Sequence, residues 1–345
     1  MTAMIPPSSS AAFALADLAS EFDGRKVVVT GGLGFLGSNL AVALADNGAH
    51  VVVVDALIPK HGGDRNNLNG AVGTIDVRIG DIGDASIMTT ALDGAEYVFN
   101  LAGQVSHVDS MEDPLKDLDI NARGQLAFLE LARVLCPSAT IVHTSTRQVY
   151  GRPSYNPVDE SHATNPTDVN GINKLAGEQY HLLYSQIYGL KISALRLTNV
   201  FGPRQRLRGD DQGFLPIFIR RAFEGQPITL YGEGEQVRDC LYVADVIESL
   251  LRTALTSDAV GNVFNVGHDQ PLSLATIAST IVDEVGSGSV VNVPWPKERS
   301  AIDIGSFVSD SSKIKTCCGW QPSTSFVEGV RETVAFFRPR LGVYL

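Results

Sequence analysis

Val27-Val28-Val29-Thr30-Gly31-Gly32-Leu33-Gly34-Phe35-Leu36-Gly37 decides the fold. A short β-branched run meets three glycines at three-residue spacing, Gly31, Gly34 and Gly37, and a helical pattern then covers Phe35–Asn47. In a strand that turns on glycine into a helix, one glycine makes the tight turn, one lets the backbone approach a pyrophosphate, and one allows close helix–strand packing. The helix start adds free N–H groups and the positive end of its dipole. A glycine-rich turn alone is a weak signal, but a turn between a strand and a helix is the context that gives it meaning.

Outward from that turn, apolar runs recur at Val51–Val54, Val77–Ile79, Tyr97–Leu101, Thr140–His143, Ile192–Leu197 and Val263–Val266. Amphipathic segments separate them, roughly Ala85–Leu92, Pro114–Leu135 and Gly171–Tyr188. Continuous apolar strands alternating with helices predict an α/β fold, a doubly wound parallel sheet covered on both faces. Asp55 ends the second run, 24 residues after Gly31. A carboxylate there accepts hydrogen bonds from ribose hydroxyls and disfavours a 2′-phosphate, which predicts NAD rather than NADP.

The 345 residues predict two domains. After about Asn199 the rhythm breaks into Gly-, Pro- and Arg-rich pieces, so the boundaries read as an N-terminal tail over 1–22, an NAD-binding domain over 23–198 with a returning segment at about 240–266, and a smaller mixed α/β substrate domain over 199–345. The net charge of −11 argues against nucleic acid as a partner. No apolar stretch is long enough to span a membrane, and residues 1–20 lack the basic start of a signal peptide. Cys136, Cys240, Cys317 and Cys318 show no CxxC spacing, which fits reduced thiols and a cytoplasmic setting. No His/Asp/Glu cluster has metal-ligand spacing, so no metal is predicted, and no Gly-x-Ser-x-Gly stands in the chain.

The GxxGxxG spacing resembles that of extended short-chain dehydrogenase/reductases with a Rossmann domain, and further motifs fall in order over roughly residues 25–338. Asp81-Ile82 resembles the family's adenine-contacting pair, and Asn100-Leu101-Ala102-Gly103-Gln104 the loop under the cofactor. Ser145-Thr146-Arg147-Gln148-Val149-Tyr150-Gly151 resembles the segment bearing the catalytic Ser/Thr. Leu197-Thr198-Asn199-Val200-Phe201-Gly202-Pro203 resembles the segment that meets nicotinamide and substrate diphosphate, and Arg238-Asp239 with Tyr242-Val243 and Asp245 the motif whose arginine grips a nucleotide-sugar phosphate. The resemblance is to the nucleotide-sugar epimerase/dehydratase branch. It implies NAD contacts from Gly31, Gly34, Phe35, Leu36, Gly37, Asp55, Asp81, Ile82, Leu101, Ala102, Gln104 and Lys174. It implies substrate contacts from Ser106, Thr146, Asn199, Phe214, Arg238 and Arg299, and a homodimer paired through helices near 114–135 and 171–188.

Two motifs depart from the family pattern. Its catalytic Tyr-x-x-x-Lys falls on Asn170-Gly171-Ile172-Asn173-Lys174, with Asn170 at the tyrosine position. The i, i+4 spacing keeps Asn170 and Lys174 on one helix face, but a carboxamide has no proton to exchange in the working range. Three replacements stand open: another group, with Asp168 nearest in sequence and Tyr150, Tyr155 and His107 further off; a water polarised by Lys174 and held by Asn170 and Thr146; or binding without turnover. After Thr146, the acidic pair that eliminates water in the family's 4,6-dehydratases is replaced by Arg147 and Gln148. The resemblance therefore implies an NAD-dependent nucleotide-sugar epimerase acting at C4 through a transient 4-keto sugar, with Thr146, Lys174, Asn170 and Asp168 as catalytic candidates. The alternatives are a dehydratase or dehydrogenase with an unusual base, and a catalytically silent nucleotide-sugar-binding protein. His143 reads as a core histidine, and Arg204, Arg206 and Arg208 read as a solvated loop rather than a cationic lid.

Overall fold

A computed structural model describes residues 10–209, 213–295 and 304–345. The apolar runs become strands β1 (Lys26–Thr30), β2 (His50–Asp55), β3 (Ile75–Ile79), β4 (Tyr97–Asn100), β5 (Thr140–Thr146) and β6 (Lys191–Leu197). Five residues pair β1 with β2, and Thr30 sits between Val54 on one side and Asn100 on the other. With Val263–Val266 these strands form one seven-stranded parallel sheet. From one edge the order is Val263–Val266, β6, β5, β4, β1, β2, β3. Chain direction across the sheet reverses between β1 and β4, and such a switch point leaves a crevice beyond the carboxyl ends of the strands.

The valines that make β1 and β2 legible are buried on both faces, because helices cover both. One face packs Phe35–Asp46 and Val243–Leu255; the other packs Ala85–Leu92, Gly124–Leu135 and Val169–Tyr188. The stretch expected as one helix over Pro114–Leu135 is interrupted. Helix Pro114–Leu118 runs into a π-turn at Asp119–Arg123 before Gly124–Leu135 begins. The widened turn brings the Asn121 side chain onto the Gln104 backbone, where Nδ2 donates to the Gln104 carbonyl and Oδ1 accepts its N–H, both at 3.1 Å.

Distant segments also enter this core. Ala19, at the end of the helix Ser10–Ser20, and Phe22 are fully buried beside Val27 and Leu40. Trp320 is fully buried in the same cluster and donates its Nε1–H to the Asp245 carbonyl at 2.8 Å. The Asp245 carboxylate in turn accepts from the backbone of Ser323 and Thr324. A second core, with Phe201, Ile219, Ile228, Ile277, Val330 and Phe337, holds the smaller unit together. There Pro227–Tyr231 and Ser289–Val293 form a separate parallel pair. His143 lies inside the large sheet, stacked on His181 with ring centroids 3.9 Å apart.

Of the arginine triplet, Arg204 and Arg206 tie their loop to the segments before β3, while Arg208 stands exposed, as a solvated loop predicts, and bonds to C-terminal residues. Arg204 donates to the Asn67 carbonyl at 2.8 Å and to Asn39 Oδ1 at 2.9 Å, Arg206 donates to the Lys60 carbonyl, and Arg208 donates to the Val343 carbonyl at 3.0 Å. Guanidinium forks suit this stitching because each offers five donors in fixed directions. Among the described residues, no helix is long and apolar enough to cross a membrane.

Candidate active site

A cavity of about 510 Å³ opens at the carboxyl ends of the central strands, between the sheet and the segment that begins at Gly213. Its volume lies in the range of ordinary ligand sites. The glycine turn forms its floor. Gly31 has φ +65°, and a Cβ there would stand 2.9 Å from the Ala102 nitrogen and the Leu101 oxygen, so the loops after β1 and β4 touch. A Cβ on Gly37 would stand 2.2 Å from the Gly31 oxygen. Helix Phe35–Asp46 starts at Gly34 with no side-chain cap, which leaves its first N–H groups open to a ligand anion.

Asp55 lines this end of the cavity. Its Oδ2 accepts the Leu33 N–H at 3.0 Å and its Oδ1 the Leu57 N–H at 2.8 Å. Burial raises its pKa against those two bonds. The carboxylate is thus pinned across the glycine turn while keeping lone pairs for a diol. Asp81, Ile82, Leu101, Ala102 and Gln104 line the same wall. A cradle closed to any side chain, an uncapped helix start and a fixed carboxylate together fit the pyrophosphate and ribose of a dinucleotide.

Thr146 and Lys174 also line the cavity. The Thr146 Oγ1 accepts the Gln148 N–H at 3.2 Å, which fixes the hydroxyl at the end of β5. Lys174 Nζ donates to the Thr144 carbonyl at 3.0 Å. Burial pushes this ammonium down to about 8, with Asp117 and Glu178 pulling the other way. A Cβ on Gly103 would stand 3.0 Å from Lys174 Nζ, so the backbone after β4 lies over the lysine.

Asn170 shares the helix with Lys174 but does not line the cavity. It is 1% exposed, and its Nδ2 donates to the Gln104 carbonyl at 2.9 Å, to Gln104 Oε1 at 2.8 Å and to Asp117 Oδ2 at 2.9 Å. The expectation that Asn170 faces a reacting group is therefore corrected: its amide is a strut that ties the Gln104 loop to the helix. Asp168 caps the start of Val169–Tyr188, with Oδ1 accepting the Gly171 N–H at 2.7 Å. Its Oδ2 stands 2.5 Å from His107 Nδ1. Burial works to raise the Asp168 carboxyl, but the bond from His107, the Gly171 N–H and the nearby Arg147 charge hold it below its ordinary value. Asp168 is thus a committed carboxylate that reaches the cavity only through His107, which does line it. His107 Nε2 stands 2.7 Å from Gln148 Nε2. His107 and Asp168 are 61 positions apart and carry no shared motif, so the sequence offered no signal for their pairing beyond a cap-type aspartate before a helix.

On the substrate side, Asn199 and Phe214 line the cavity. Arg147 also lines it, with its guanidinium over the Phe307 ring at 5.2 Å. Burial, with the Arg238 charge added, lowers Arg147 to about 10, against Asp239 and Asp168. Arg238 is buried behind it and donates to the carbonyls of Val237 at 2.9 Å and Gly305 at 2.6 Å, so the guanidinium groups at the cavity wall are those of Arg147 and Arg206, where Arg238 was expected. Ser106 is likewise turned away: buried, its Oγ caps the helix His107–Glu112 by accepting the Asp109 N–H at 3.1 Å. Arg299 lies outside the described residues.

Comparison with known proteins agrees with this geometry. Residues 27–267 match the family described as "NAD dependent epimerase/dehydratase family". The chain is 31% identical over 314 residues to a putative UDP-glucose 4-epimerase of Methanocaldococcus jannaschii, covering 90% of this chain and 98% of the relative. It is 32% identical over 337 residues to a CDP-paratose 2-epimerase of Salmonella typhi, covering 89% and 97%. The crystal structure of a UDP-glucose 4-epimerase with UDP-glucose from Thermotoga maritima superposes with a TM-score of 0.82 at 32% identity, covering 91% of this chain and 99% of that one.

Proposed function

The chain belongs to the NAD-dependent epimerase/dehydratase family, and we propose that within it the protein is a nucleotide-sugar epimerase acting at C4. The observation that carries this reading is the pairing of Thr146 and Lys174 on one wall of the cavity with Arg147 and Gln148 directly after Thr146. A guanidinium and an amide hold no acid–base pair for removing water from the sugar, so inversion at a hydroxyl-bearing carbon is the better fit.

Bound NAD supplies a hydride acceptor that returns the hydride to the same sugar. The glycine turn and Asp55 hold its pyrophosphate and ribose, and Lys174 orients the nicotinamide ribose. Thr146 donates to the reacting oxygen and holds it as charge develops. Arg147 and Asn199 meet the nucleoside diphosphate, and Phe214 lines the base end. Asn170 stands where the motif resemblance implies a tyrosine and acts by positioning the Gln104 loop. A homodimer is part of the proposal, supported by exposed Leu183, Ile187 and Tyr188 on the helix Val169–Tyr188 and Leu115 and Leu118 nearby.

The test incubates purified protein with UDP-, dTDP-, GDP- and CDP-sugars and reads products by chromatography and mass spectrometry. The expected result is a shifted peak of unchanged mass. Loss of water refutes the argument from Arg147 and Gln148, and binding of every sugar without product makes the chain a silent binding protein.

A further inference from the structure

With Asn170 a buried amide, the proton-exchanging group left on that helix face is Lys174, whose Nζ is already donating to the Thr144 carbonyl at 3.0 Å. Tyr150 does not fill the gap: it is fully buried, donates to Asn265 Oδ1 at 2.7 Å and accepts from Arg196 at 2.7 Å. Tyr155 donates to Asp159 at 3.0 Å and does not line the cavity. Of the other acids and imidazoles on the wall, Asp55, His61 and Asp81 follow β2 and β3, at the far end from Thr146. His107 remains. It begins the helix that Ser106 caps, on the loop that Asn170 ties down, and it meets Gln148, whose backbone N–H holds Thr146.

We propose that His107 is the acid–base group that exchanges the sugar-hydroxyl proton, with Asp168 positioning it and the Gln148 side chain following its protonation. The proposal rests on the epimerase reading above. The two contacts of the ring set its tautomer. An amide nitrogen only donates, so with Gln148 Nε2 at 2.7 Å the imidazole Nε2 accepts, and the ring proton sits on Nδ1, where it donates to Asp168. That leaves the basic lone pair on Nε2, at the cavity wall. A fixed carboxylate behind Nδ1 holds the ring orientation and stabilises the imidazolium that forms, which is the logic of carboxylate–imidazole pairs in general.

The proton balance closes within these residues. A substrate hydroxyl displaces the Gln148 amide from Nε2, and its O–H bond breaks as an N–H bond forms at Nε2; NAD held by the glycine turn would accept the hydride from the same carbon, which would leave a carbonyl facing Thr146. The imidazolium then carries two donors and no acceptor. Gln148 answers by turning its amide, presenting Oε1 to Nε2–H. That oxygen is buried and without a hydrogen-bond partner as it stands, a costly arrangement unless another state uses it. Return of the hydride to the opposite face reverses each step, and Nε2 gives the proton back.

The experiment uses full-length protein with bound NAD. On the sugar nucleotide that wild type epimerises, His107→Gln should lower kcat by about 100-fold or more while KM changes by less than about threefold. Asp168→Asn should lower kcat by at least about tenfold. The second readout is independent of turnover: ¹⁵N shifts of the His107 ring should report a neutral Nδ1–H tautomer in wild type, lost in Asp168→Asn. Retained bound NAD and an unchanged melting temperature in His107→Gln separate lost chemistry from lost structure. Turnover in His107→Gln within threefold of wild type, or an Nε2–H tautomer in wild type, overturns the proposal. If wild type turns over no sugar, the epimerase reading fails, and the ring tautomer still decides whether the pair is built as a base.

Discussion

Replacing Asn170 by tyrosine installs the residue that the motif resemblance implies at this position, and the structure predicts that it damages this protein. The native amide shares its two N–H donors among three acceptors, two on Gln104 and one on the Asp117 carboxylate, from a site that is 1% exposed. Neutral bonds are worth about 1 kcal/mol each and one to a carboxylate about 1.5–3 kcal/mol. Forcing a phenol into a filled site adds about 1–3 kcal/mol. The ring hydroxyl regains one partner at best, and Asp117 keeps its bonds from Asn121 and Asn173. The net cost is about 3–6 kcal/mol, which at roughly 2 °C per kcal/mol for a chain of this size lowers the melting temperature by about 6–12 °C. Circular dichroism melts of Asn170→Tyr, run beside turnover and NAD content, measure this directly. The expected variant melts early and is no faster than wild type, because the released Gln104 loop carries His107. A variant that melts with wild type and turns over faster would refute the reasoning and mark Asn170 as a decayed tyrosine site.

Other outcomes follow from single distances and charges. Gly37→Ala places a methyl 2.2 Å from the Gly31 oxygen, which must move by roughly an ångström, so the variant should purify without NAD, read by absorbance after denaturation. Asp55→Asn removes the charge that repels a 2′-phosphate, and calorimetric titration should show the preference for NAD over NADP falling by about tenfold or more. Lys174, lowered from 10.5 to about 8, should give an alkaline limb of kcat near pH 8 that Lys174→Arg abolishes by keeping its charge. This limb is not unfolding. Between about 8 and 10.5 the unfolded lysine binds more protons than the folded one, so this group's contribution to stability rises with pH across that window while activity falls.

The sheet was legible because burial on both faces demands uninterrupted apolar runs, and Val27–Val29 and Val51–Val54 are such runs. The glycine turn was legible because no other residue fits positions 31 and 37. The break in the helix at Asp119–Arg123 was not, since its cause is a contact between Asn121 and Gln104, 17 residues away. Arg238 and Ser106 have the right chemistry for ligand contact, but the backbone groups of Gly305 and Asp109 claim them first. Spacing places a residue on a helix face; it does not tell which neighbour takes its hydrogen bonds. The pairing of His107 with Asp168 is the extreme case, set wholly by how two helix starts meet.

The burial of Trp320 beside Phe22, Val27 and Leu40 has a consequence for the order in which the protein is made. Synthesis runs from the amino end, yet the core under the first strand is filled by a side chain nearly three hundred residues later. The sheet is in the same position, since its edge strand Val263–Val266 pairs with β6 only after most of the chain exists. A nascent chain stopped short of Trp320 holds the whole glycine turn and Asp55 but lacks a member of the core cluster to which Val27 and Val29 belong. Until that residue arrives, apolar surface stays uncovered, the condition under which incomplete chains associate wrongly.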